Sequence, residues 1–272
     1  MQDFSTSPVE MVASFWRNRA LIKALTKREI LGRYRGSILG MLWSLFNPIL
    51  MLGVYTFVFS VVFNARWGAG GGSKTEYALV LFAGLIVFSL FSDCVGRAPS
   101  LILSNVNYVK KVVFPLEVLP WVSLGAALFH GFISLLVWLI FYGVFIGLPT
   151  LTVLLLPLVI LPLLMFSMGI SWALASLGVY LRDISQIIGV VITMLMFLSG
   201  IFYSVSSLPV DYQEIMKMNP LVPIIEQARV VLVWGGEPNY LLLLNYLGGA
   251  FVFASLGFAW FQKTRKGFAD VL

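Results

Sequence analysis

The stretch TKREILGRYRGSILGMLWSLFNP, Thr26 to Pro48, decides how the rest of the chain is read. Lys27, Arg28, Glu29, Arg33 and Arg35 crowd its first half, whereas no charged residue occurs from Gly36 through Phe63. So abrupt a switch marks a passage from water into hydrocarbon, because an ionised side chain at the bilayer centre costs about 2.5–3.5 kcal/mol even on the mildest scales. Residues beyond the switch read as more membrane, and those before it as a polar apron beneath the membrane.

Composition agrees with that reading. Of the 272 residues 60% are apolar and 11% charged, against about 25% charged in soluble domains, and the mean hydropathy is +0.95. The expected class is an all-α integral membrane protein. Cys94 stands alone, which excludes an intramolecular disulfide and shows no metal-ligand spacing. The first 30 residues hold Glu10, Arg17, Arg19 and Lys23 with no uninterrupted apolar core, so no cleavable signal peptide is expected. A net charge of +6 suggests nucleic acid only if it forms a solvated face. Here the cations sit beside membrane segments, where they set orientation.

A helix rises about 1.5 Å per residue, so roughly 20 apolar residues cross a ~30 Å hydrocarbon layer. That measure predicts six spans, at 38–63, 77–96, 120–147, 151–180, 184–203 and 240–261. They divide the chain into a cytoplasmic N-terminal region, 1–35, a membrane domain, 36–262, and a short basic tail, 263–272. With both termini in the cytoplasm only Arg66, Lys74, Lys217 and Arg229 fall outside. The other lysines and arginines lie inside, which predicts an N-in, C-in topology.

Val12, Phe15, Trp16, Ile22, Leu25 and Ile30 recur near helical spacing between Val9 and Leu31. They predict an amphipathic helix lying in the interface, its apolar face among the headgroups and its cations toward anionic lipid. It serves either as a plain anchor or as a docking surface for a cytoplasmic partner. Gly32, Gly36 and Gly40 follow at every fourth residue, which fits a close helix contact or a bend into the membrane.

Between the spans, Gly68–Thr75 approaches a phosphate-binding loop. Ser73 replaces the second required glycine and no strand precedes it, so it reads as a linker. Pro99, Asn105, Asn107 and Pro115 break the inner loop Arg97–Leu119 into short pieces, and Lys110 and Lys111 face anionic lipid or an acidic partner. Arg182 and Asp183 form an inner turn tight enough to pair spans four and five. Leu221–Trp234 is apolar for too short a length to cross and reads as a re-entrant or interfacial helix, started near Asn219 and Pro220. Within it Glu226 and Arg229, three apart, are placed to pair. Asp93 and Arg97, four apart in span two, are placed to neutralise each other or to snorkel. His130 falls near mid-bilayer with no carboxylate in its span; an interhelical hydrogen bond or a wet cavity suits it better than a proton relay.

No nucleophile with a base, metal cluster or phosphate cradle emerges, so the chain does not read as an enzyme. Its 15% aromatic residues supply packing and interfacial belts. Some also suit a wide path in which aromatic faces meet the C–H faces of sugar rings.

The segment Arg33-Tyr-Arg-Gly-Ser-Ile-Leu-Gly-Met-Leu-Trp43, followed by Asn47-Pro48, resembles the signature of permeases of the type-2 ABC exporter class. Within it the chain is similar to the branch that exports lipid-linked O-antigen, capsular polysaccharide or teichoic acid. The resemblance extends to the basic N-terminal helix, the spans, Asn219-Pro220-Leu221 with Glu226 and Arg229, and the basic tail. It implies a homodimer in the bacterial cytoplasmic (inner) membrane, joined to two copies of a separate ATPase subunit that binds ATP and Mg. No cofactor is implied in this chain itself. By position, Lys27, Arg28, Asn105, Lys110, Lys111, Arg182 and Asp183 would meet the ATPase. Trp43, Phe46, Tyr55, Phe59 and Phe197 would border the path of a polyprenyl-pyrophosphate-linked polysaccharide, and Asn219, Pro220, Glu226 and Arg229 would cap its exit. A type-2 permease for a lipid, drug or other small amphiphile is the alternative.

Overall fold

A computed structural model describes residues 5–62, 67, 73–110 and 114–272. Every regular element among them is helical. Lys111 and the glycines of 68–72 lie outside the described residues.

Helix α1, Pro8–Arg17, begins where Pro8 fits the first turn and Ser7 Oγ accepts the Glu10 N–H at 3.1 Å. It stops at Asn18, whose side chain donates back to the Ser14 carbonyl at 2.9 Å. Helix α2, Arg19–Arg33, follows directly. The single helix expected there is therefore two helices, and part of their apolar surface faces protein. Ile22 and Leu25 are buried with Val118 and Val122, and the Phe15 ring lies 4.6 Å from Trp121. Val12 and Trp16 remain exposed. Packing against Val118 and the start of the helix that follows it, at Trp121 and Val122, removes both apolar surfaces from water at once.

Gly36 (φ +86°) and Gly40 (φ +51°) then sit in the left-handed region, where an L side chain is strained. Gly36 and Gly40 thus serve the bend, and among the described residues of this chain nothing lies within 4 Å of where a Cβ would stand at Gly32, Gly36 or Gly40. The chain turns there and enters α3, Trp43–Tyr55, which winds on as a π-helix over Thr56–Val62.

Helix α4, Lys74–Arg97, is the buried axis of the bundle. Short α5, Val106–Lys110, precedes α6, Leu119–Phe145, and α7, Leu156–Tyr180. Next come α8, Ile184–Leu198, α9, Val210–Lys217, and α10, Leu221–Leu232. The chain ends with α11, Tyr240–Thr264, and α12, Phe268–Val271. Helices α7 and α11 touch backbone to backbone, because a Cβ at Gly257 would overlap the Gly169 carbonyl. Trp172 and Phe258 lock the same seam edge to face at 5.2 Å.

Among the described residues five stretches are long and apolar enough to cross a membrane: Gly40–Phe59, Lys74–Ser100, Leu116–Phe145, Leu151–Tyr180 and Tyr240–Val271. The fifth expected span, 184–203, is shorter than its hydropathy suggested. Helix α8 has 15 residues and so reaches only about 22 Å. It ends at Ser199 because Gly200 turns at φ +64° and the carbonyls of Gly200 and Ile201 bond to a buried guanidinium.

Candidate functional site

At the end of the bundle that carries α1 and α2, charges are paired between elements. Glu117, 5% exposed, receives Arg265 Nη1 at 2.6 Å and Ser14 Oγ at 3.1 Å. Arg265 Nη2 donates to the Phe114 carbonyl at 2.7 Å, and Trp172 Nε1 to the Glu117 carbonyl at 3.1 Å. The Glu117 carboxylate thus ties α1 and the end of α11 to the loop before α6, and its carbonyl adds α7. The sequence offered one signal for it, a lone acid in the basic inner loop.

Asp93 and Arg97 do not pair with each other. Arg97 reaches Glu29 of α2 at 2.7 Å, and Asp93 lies 3.9 Å from Arg33. Helix α2 presents an opposite charge to each.

The residues expected to meet an ATPase divide into two groups. Lys27 and Arg28 are exposed on α2. Arg28 stands 5.8 Å over the Tyr108 ring and shares a small crevice with Asn105, which donates to the Leu101 carbonyl at 2.9 Å. Lys110 Nζ donates to the carbonyl of Leu272. Arg182 and Asp183 are exposed in the turn between α7 and α8, where the Asp183 carbonyl accepts the N–H groups of Gln186 and Ile187.

Along α3 runs a cavity of about 320 Å³ bounded by α3, α4, α6 and Met196 of α8. Arg33, Tyr34, Asn47, Asp93, His130 and Ser134 line its basic end, while Met51, Tyr55, Phe82 and Leu85 line the other. His130 Nδ1 lies 3.4 Å from the Tyr34 hydroxyl, joining α6 to the turn after α2. Its Nε2 and Arg33 Nε are both buried with no hydrogen-bond partner among the described residues. The histidine therefore has both the interhelical contact and the polar cavity that its sequence position suggested.

The expected path aromatics separate. Tyr55, Phe59 and Phe197 converge on Phe202 at 6.1, 5.1 and 5.4 Å. Trp43 and Phe46, 41% and 43% exposed, do not line the cavity. Phe202 itself was not singled out for the path, although its position in the sequence, five residues after Phe197, was the available hint.

At the opposite end α10 packs against α4 and α7, with Leu221, Ile224, Ile225 and Ala228 buried. Asn219 holds its start, accepting the Leu221 N–H and donating to the Leu198 carbonyl, each at 3.0 Å. Pro220 immediately precedes the first helical turn. Arg229 is 1% exposed and does not pair with Glu226. It donates Nε to Val80 O at 3.2 Å, and Nη1 and Nη2 to Gly200 O and Ile201 O at 2.9 Å each. Trp67 covers the guanidinium at 4.2 Å. The carbonyls win because the end of α8 leaves them unpaired at the bundle interior, whereas Glu226 is only partly buried on the helix flank.

Among the described residues no group of three or more His, Cys, Asp or Glu side chains is placed to hold a metal. Residues 20–233 match the family described as ABC-2 type transporter. The chain is 32% identical over 180 residues, 66% of each chain, to the O-antigen export system permease protein RfbA of Myxococcus xanthus. It is 27% identical over 254 residues to the protein of the same name from Klebsiella pneumoniae, covering 93% of this chain and 95% of that one.

Proposed function

This chain belongs to the ABC-2 type transporter family, and on that premise we propose that it is the permease subunit of an ATP-driven exporter of lipid-linked O-antigen. It is a multi-pass protein of the bacterial inner membrane. The observation that carries the reading is similarity over 93% of the chain to a relative named as an O-antigen export permease.

Two copies of the chain pair in the membrane and join two ATPase subunits, which bind ATP and Mg and perform the hydrolysis. The basic region 1–35 and the tail 263–272 face the cytoplasm, and 36–262 forms the membrane domain. Helix α8 with 199–203 completes a sixth crossing in a locally thinned bilayer, a small cost per Å of mismatch. The exposed Lys27, Arg28, Arg182 and Asp183, with Asn105, Lys110 and Lys111, receive the ATPase. The substrate is a polysaccharide on a polyprenyl pyrophosphate, moving beside Trp43, Phe46, Tyr55, Phe59 and Phe197. Helix α10, with Asn219, Pro220, Glu226 and Arg229, caps the exit as a re-entrant element.

The test is expression in an O-antigen-negative strain that lacks its own export permease, together with an ATPase subunit encoded beside this chain. Surface O-antigen restored only when both are present, and lost when the ATPase cannot hydrolyse ATP, is the expected result. Restoration without the ATPase, or ATP turnover by the purified chain alone, refutes the reading.

A further inference from the structure

The cavity beside α3 is graded along its length. Its polar residues, Arg33, Tyr34, Asn47, Asp93 and His130, gather at the basic end, and Phe82 and Met51 lie toward the other. Asp93 and Phe82 are eleven positions apart on α4, which separates them by about 16 Å along the axis. An amphiphile of the leaflet nearest the basic end has the same order, a headgroup at the surface and a chain toward the bilayer centre.

The polar end leaves two nitrogens unsatisfied. Arg33 Nε and His130 Nε2 are buried without partners among the described residues, a costly condition for groups of this kind. Asp93 shares the cavity, but at 3.9 Å it is well beyond the ~2.7–2.9 Å of a charge-assisted hydrogen bond. Arg97, the other nearby cation, is already held by Glu29 at 2.7 Å. Arg33 thus keeps an unsatisfied Nε donor beside its loose ion pair with Asp93, and the imidazole and the Asn47 amide line the same cavity.

We propose that this cavity binds the phosphate ester of a membrane lipid, with Arg33, His130 and Asn47 around the phosphate and the lipid chain lying along Met51, Leu85 and Phe82. The oxygens of a phosphate would satisfy Arg33 Nε and His130 Nε2, which have no partner among the described residues. Two sources have this chemistry, a bulk phospholipid headgroup and the pyrophosphate of the exported lipid carrier. The assignment rests on the permease reading only for placing the basic end in the cytoplasmic leaflet.

The test uses the purified full-length chain in detergent, with bound lipid read by native mass spectrometry. Probes are dioctanoyl phosphatidylglycerol, farnesyl pyrophosphate and dioctanoylglycerol, which lacks phosphate. Both phosphate lipids are expected to bind, and Arg33→Gln to weaken them roughly tenfold, the loss of one charged hydrogen-bonding group. Arg33→Lys should retain more binding than Arg33→Gln, and Asn47→Leu, which leaves the charges in place, should weaken binding by a smaller factor. Displacement of phosphatidylglycerol by equimolar farnesyl pyrophosphate identifies the carrier as the source, and its retention identifies bulk lipid; both support the site. Dioctanoylglycerol binding as well as the phosphate lipids overturns it. So does full binding by Arg33→Gln or, should that variant not fold, by Asn47→Leu. A chain that fails to restore surface O-antigen yet keeps Arg33-dependent phosphate binding would refute the export reading and leave this site standing.

Discussion

At the scale of single residues the chain's buried charges act as fasteners. Glu117 satisfies Arg265, Ser14 and, through its carbonyl, Trp172. Glu117→Ala leaves Arg265 buried without its carboxylate, and removing one member of a buried pair costs about 3–5 kcal/mol. Thermal unfolding in detergent should show a loss of that order, and Glu117→Ala combined with Arg265→Met should recover part of it. A double variant as unstable as the single would show that the pair is not the fastener. Arg229 works without any carboxylate, through the carbonyls of Val80, Gly200 and Ile201. Arg229→Leu should therefore detach α10 from the end of α8 and expose 199–203 to protease, while Glu226→Gln should leave the cleavage pattern unchanged. Equal sensitivity of the two variants would restore the pairing that their spacing suggested. Neither arrangement was legible in the sequence, because spacing along one helix names the candidate partners and the fold supplies different ones. Asp93 and Arg97 repeat the lesson, each taken by α2.

At the scale of elements, hydropathy was a good guide to where helices run and a poor one to what they touch. It located α4, α6, α7 and α11 within a few residues, since a long run of apolar side chains has one cheap conformation in a membrane. It overran α8, because residues 199–203 continue the apolar run while Gly200 turns the chain and the carbonyls of Gly200 and Ile201 are claimed by Arg229. Small residues misled in the same way. The regular Gly32, Gly36 and Gly40 make a bend, while the close helix contact falls at Gly169 and Gly257, which have no conspicuous repeat. Gly257→Leu should force α7 and α11 apart and destabilise the fold by about 1–3 kcal/mol or more, visible as a lowered melting temperature. Gly36→Leu meets open space but a strained φ of +86°, worth about 1–2 kcal/mol. It should insert and fold nearly as well as the parent while impairing export, because the angle between α2 and α3 is what it alters. Unchanged export would reduce the bend to a passive anchor.

At the scale of the whole molecule, the helices that bury least within the chain stand together. Leu45, Leu50, Met51 and Val54 of α3 are exposed, as are Ile187, Val190 and Met194 of α8, and Met196 of α8 shares the α3 cavity with Met51 and Tyr55. In water such a face would demand a partner; in lipid it is tolerated, so the exposure alone does not choose between lipid and a second copy. Helix α4 is buried on nearly every side while α3 and α8 remain open on one flank, and under the proposed pairing of two copies that flank is the one to test. Cysteines introduced singly at Val54 and Met194 should form disulfide-linked dimers under mild oxidation in membranes, whereas one at Leu244, exposed on α11, should not. The buried Cys94 provides a silent background. If the Leu244 variant crosslinks and the other two do not, the copies meet across the opposite flank, and the aromatics around Phe202 face lipid rather than a shared path.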